Sequence, residues 1–183
     1  MQLSRRTLIQ LSLAAGLIAL LAGIGEIAKW DAGLGPRDAA GWRPIAWPLA
    51  ADDRPAGKSW RGHELEIHVR PKLGHLAQCD GEIADDAALA RASDIALLDA
   101  DAAPVAAGRR IRITDLFGRA RLHRARVDGA ARQVEAIAVS FECHLLTALV
   151  VGRTVDEAKF RTARQFLESN TVQVWINQQF GSR

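Results

Sequence analysis

Apolar and polar positions change rhythm several times along this chain, and each change marks an element. Thr7 to Gly25 runs 19 residues without a charge. Wound as a helix rising about 1.5 Å per residue, it spans roughly 28 Å, enough to cross a hydrocarbon core. From residue 28 to 60 the pattern breaks. Pro36, Pro44, Pro48 and Pro55 argue against helix and strand interiors alike, so an extended stem is expected. Trp42 and Trp47 sit five apart on it. Draped over a domain they bury both indoles; held out, they form a docking strip. Period-two alternation begins at His63, with Leu65, Ile67 and Val69 on one face of a strand that Pro71 should end.

Further along, Asp85-Asp86 opens a short helix reaching Arg91, and Asp94 to Asp99 is an apolar run of undecided type. Alternation returns at Arg110–Ile113, Arg119–Val127 and Gln133–Phe141, with Asp128-Gly129 as a hairpin turn between the last two. Cys143–Val151 is apolar throughout and reads as a strand or a buried helix. Thr154-Val-Asp-Glu157 has the spacing of a capping box, so a helix is expected from Val155 to Ser169, with Phe166 and Leu167 on its buried stripe. Thr171 to Asn177 alternates and should close the domain as a strand. The expected fold class is α+β: an N-terminal transmembrane helix, then one antiparallel-sheet domain with a main C-terminal helix packed on it. The divisions are an anchor at 1–27, a stem at 28–60 and a domain at 61–183.

Ser4-Arg5-Arg6-Thr7-Leu8-Ile9-Gln10 resembles the twin-arginine export motif S/T-R-R-x-F-L-K, with Leu8 in place of Phe and Gln10 in place of Lys. The resemblance covers seven residues and implies an address rather than a lineage. An ordinary signal anchor, whose arginines stay inside, accounts for the same residues. Small residues are poorly placed for cleavage, so an uncleaved anchor is expected in a bacterial inner membrane, with the domain in the periplasm.

Charge adds little beyond this. Three of the 24 Lys and Arg and one of the 21 Asp and Glu precede residue 30, so the exported part has a net charge of +1. Nucleic acid is not an expected partner. Cys79 and Cys143 are the two cysteines, and in an oxidising compartment a single disulfide is the natural expectation. His68, His75 and Cys79 are weak metal candidates without zinc spacing, so no metal is expected. Haem, dithiol, nucleophile-elbow and phosphate-loop motifs are absent, so no cofactor is expected either.

Charge does segregate. Residues 80–101 carry seven acids against Arg91, and residues 109–132 carry eight arginines against Asp115 and Asp128. The two segments can neutralise each other across the fold. Alternatively, Arg109, Arg110, Arg112, Arg119, Arg121, Arg124 and Arg126 make a face for an anionic partner. The expected function is a membrane-anchored periplasmic binding or accessory protein with a protein partner, such as a non-catalytic subunit of an envelope or redox complex. Two alternatives stay open. A small hydrolase or metal enzyme would use His68 or His75 with Asp85, Asp86 or Cys79, and a lipid- or ligand-binding domain would hold an apolar cavity under the 155–169 helix.

Overall fold

Three turns set the plan of the sheet. Asp128 and Gly129 both have positive φ, at 51° and 75°, which is the backbone of a two-residue hairpin turn matched to strand twist. His63 and Glu64, at 52° and 61°, do the same without a glycine. Thr114, at 52°, opens a third tight turn. The structure, a computed structural model, describes residues 36–49, 57–74, 83–141 and 143–181. The export residues Ser4, Arg5, Arg6 and Leu8, the expected anchor, His75 and Cys79 lie outside the described residues. No described helix is long and apolar enough to cross a membrane.

The strands are β1 (Arg43–Ile45), β2 (Lys58–Gly62), β3 (Leu65–Lys72), β4 (Ala103–Pro104), β5 (Arg109–Ile113), β6 (Leu116–Val127), β7 (Ala130–Phe141) and β8 (His144–Gly152). They form one antiparallel sheet in the order β1-β2-β3-β8-β7-β6-β4, and β5 shares the β6 edge with β4. The helices are α1 (Asp86–Ala92), α2 (Ile95–Leu98), α3 (Glu157–Leu167) and α4 (Asn170–Gly181). The fold is therefore α+β, an eight-stranded antiparallel sheet with helices at the C-terminus.

Both sheet faces are covered. On one, Ile67, Val69, Ile137, Val139, Ala148 and Val150 pack against Phe160, Ala163, Phe166 and Leu167 of α3 and Val172, Trp175 and Ile176 of α4. On the other, Leu89 and Ala92 of α1 meet Ala138 and Leu145, while Ile95 of α2 meets Ala136, Leu149 and Val151. Each fully buried large apolar side chain contributes about 1.5–3 kcal/mol, so α3 and α4 are held mainly by this face.

Several expectations are corrected. The stem is not wholly outside the sheet, because Arg43–Ile45 pairs with Ser59–Arg61 as an edge strand. Pro71 does not end β3, which runs to Lys72. The β2 ladder stops at Val69, so Pro71 has a strand on one side only, where a missing N–H is tolerated. Cys143–Val151 resolves into strand β8, and residues 95–98 form the single turn α2. The cap of α3 is Asp156, not Thr154: its Oδ1 accepts from Lys159 N at 2.9 Å. Residues 171–177 are helix, not strand. Val172, Val174 and Ile176 satisfy alternation, but Val172, Trp175 and Ile176 satisfy i, i+3, i+4, and those three are the buried ones while Val174 is exposed.

Candidate functional site

The arginine-rich segment is largely engaged within the chain. Arg119 Nε donates to Asp86 Oδ1 at 2.5 Å, and Arg121 Nε lies 3.5 Å from Asp86 Oδ2. The Gly108 N–H, followed by Arg119, holds the Asp86 carboxyl below its ordinary range. Asp99 is lowered likewise, chiefly by the Arg126 backbone N–H. Arg109 lies 4.2 Å over the Phe160 ring and 3.2 Å from Glu135, whose carboxyl is pushed up by burial. Arg110 and Arg112 flank Phe117, at 4.8 and 5.7 Å. Arg124 and the Arg126 side chain are exposed. The acidic and basic segments thus meet at Asp86 and Asp99.

The histidines are scattered. His63 Nε2 is 2.7 Å from Ala40 O, tying the β2–β3 turn to the loop before β1. Gly74 N donates to His144 Nδ1, and His144 stacks on Phe180. His123 Nδ1 lies 2.9 Å from Arg121 O, and burial lowers its pKa. His68 is buried, with Nδ1 2.9 Å from Ser59 Oγ. Burial, then Arg61, push its pKa down to about 4. It sits on β3, separated by β8 and β7 from β6, whose Arg119 binds Asp86, so it does not meet that carboxylate. No three metal-ligating side chains converge among the described residues. Cys143 is disulfide-bonded.

Next to His68 on the same face runs a buried ionic row. Lys72 Nζ is 2.8 Å from Asp94 Oδ1, Arg70 Nη1 is 3.7 Å away, and Thr147 Oγ1 donates to Asp94 Oδ2. All four residues are 3 % exposed or less. The Arg70 guanidinium lies 4.9 Å over Trp47, and Trp47 stands edge-on to His68 at 6.3 Å. This row seats one side of the half-buried Trp47 on polar groups, while it also packs against the Leu49 and Ile95 cluster.

Trp47 is one wall of an aromatic concavity. It is a groove of about 520 Å³ along the β1 edge, lined by Trp42, Trp47, Trp60 and Trp175 together with Pro44 and Lys58. Trp42 stacks on Phe166 at 4.4 Å, and Trp60 meets Phe166 and Trp175 edge-on at 5.3 and 5.9 Å. The Lys58 ammonium lies 5.5 Å over Trp175, and Arg37 and Asp38 stand at the rim. The Trp47 indole N–H has no acceptor among the described residues. Gly57 makes the close approach, because a Cβ there would fall 2.4 Å from the Trp47 ring and 2.2 Å from Val69 O. No protein-family model matches this chain, and no curated protein matches its sequence.

Sequence reasoning reached Trp42 and Trp47 but not Trp60 or Trp175. The last two are distant in the chain and meet where α4 packs against β2. Tryptophans so far apart in sequence carry no local signal of convergence. The expected cavity beneath α3 is replaced by packed side chains of Phe160, Ala163, Phe166 and Leu167.

Proposed function

We propose that this chain is a membrane-anchored periplasmic accessory protein, which docks an extended, proline-containing segment of a protein partner in the tryptophan groove. The observation that carries the reading is the groove beside the three-residue edge strand β1, where the half-buried Trp47 stands with Pro44 and Lys58 and the edges of the buried Trp42, Trp60 and Trp175 complete the lining. An aromatic wall beside a short edge strand suits the ridged surface of a polyproline-type peptide. Indoles supply large contact area at small entropic cost, and the cationic and anionic rim supplies orientation. The engagement of the Asp86 and Asp99 carboxylates by the arginine-rich strands supports the same choice over an anion-binding face there.

The test captures the full chain from gently solubilised membranes, beside Trp47→Ala and Lys58→Glu. A stoichiometric partner that is held by the parent and lost with both variants is the expected result. A partner held equally by all three, or none at all, overturns the reading. A cofactor on the captured partner would make this an accessory subunit of a redox complex.

A hydrolase is the second reading, favoured by one observation: Ser59 Oγ, His68 and Glu66 stand in a row, with His68 Nε2 3.9 Å from Glu66 Oε2. That last distance is too long for a hydrogen bond, and Ser59 is 2 % exposed. Labelling by a fluorophosphonate probe, abolished in Ser59→Ala, would favour the hydrolase; an unlabelled protein is expected.

A further inference from the structure

At the sheet end opposite Lys72, the β2–β3 turn, the β6–β7 turn and the chain leaving β8 enclose a cleft of about 480 Å³. Its floor is apolar, from Val127 and Val151. Four cationic and three anionic side chains line it, and they pair selectively. Arg61 takes Glu66 at 2.7 Å, and Lys159 takes Glu64 at 3.1 Å. Arg132 and Arg153 line the same cleft, and among the described residues no carboxylate pairs with either. The register brings these two together: Gln133 lies opposite Gly152, so the next position outward on each chain is Arg132 and Arg153. Like charges facing each other across neighbouring chains destabilise a sheet, and among the described residues neither arginine has an ion-pair partner.

We propose that this cleft binds a phosphate group between Arg132 and Arg153. Two guanidinium forks approaching from adjacent strands offer more donors than a carboxylate's two oxygens accept in bidentate geometry, whereas a phosphate presents three or more. Glu64 and Glu66 are already paired with Lys159 and Arg61, and Asp128, the third carboxylate of the cleft, makes no ion pair with Arg132 or Arg153. The apolar floor lowers the local dielectric and strengthens attraction to an anion resting on it. A soluble phosphate ester and a phospholipid headgroup share this chemistry.

The test uses the full chain in uncharged detergent, titrated calorimetrically with inorganic phosphate and glycerol 3-phosphate, and separately its binding to phosphatidylglycerol vesicles. Arg132→Ala and Arg153→Ala are compared with Arg124→Ala, an exposed arginine outside the cleft. Among the described residues neither cleft arginine has an ion pair to lose, so both variants should melt with the parent. Saturable binding weakened about tenfold or more by each cleft variant, and unchanged in Arg124→Ala, is expected. Binding of glycerol 3-phosphate assigns a soluble ester, and binding to vesicles alone assigns a headgroup. The proposal is overturned if neither probe binds, if Arg124→Ala weakens binding as much as the cleft variants do, or if succinate binds as tightly as phosphate.

Discussion

His68 is the residue whose chemistry departs furthest from its ordinary value. It is neutral in the folded protein down to about pH 4, while the unfolded chain titrates near the ordinary imidazole value of 6.5. Between those values the unfolded state binds a proton that the folded state does not, so stability rises with pH. The contribution is complete above pH 6.5, is lost as pH falls toward 4, and amounts to something on the order of 3 kcal/mol. His123, lowered by burial, acts in the same direction. Melting temperature should therefore fall between pH 7.5 and 5, and His68→Gln should flatten that slope; equal slopes in the two proteins would refute it. Asp94 makes a second residue-scale prediction. It faces Lys72 and Arg70 in the interior, so Asp94→Ala should cost about 3–5 kcal/mol in a denaturant titration. The lone His68 was visible in the sequence as a candidate. Its partner Ser59 was not, because the pairing depends on β2–β3 register: Ser59 lies opposite His68.

At the scale of elements, the long strands β6 and β7 were legible from their alternation and from Asp128-Gly129, which names its own turn, although the fold buries both faces of β7 from Val134 to Val139. The start of α3 was legible only to within two residues. Thr154 and Asp156 both carry capping oxygens, and tertiary contacts decide between them: Val155 is drawn into the core, with its N–H donating to Gln133 Oε1. Asp156→Ala should accordingly destabilise the protein by about 1 kcal/mol, and Thr154→Ala by only a few tenths, as read by chemical denaturation. Equal losses would restore the capping box. Helix α4 was misread because its apolar residues satisfy both periods, and only the covering of Trp60 by Trp175 selects the helical one.

At the scale of the whole molecule, the sheet is closed on both faces by helices, and its β1 edge is left to a short, proline-bearing strand. The tryptophan groove forms at that edge, from residues separated by more than a hundred positions, so no local pattern announces it. The charge segregation was legible as a sequence feature, and the fold joins its two halves through Asp86 and Asp99. Gly57→Ala connects packing to docking: the added carbon meets Trp47 and the Val69 carbonyl, so it should cost about 1–3 kcal/mol and weaken partner capture together. The tryptophan groove is the proposed docking surface. The most direct measurement places a photo-crosslinking residue at Lys58 in the full chain, in intact membranes, with Val174 as an exposed control outside the groove. One discrete adduct with a protein partner from position 58, and none from position 174, is the predicted result. No adduct at position 58, or the same adducts at both positions, would contradict it.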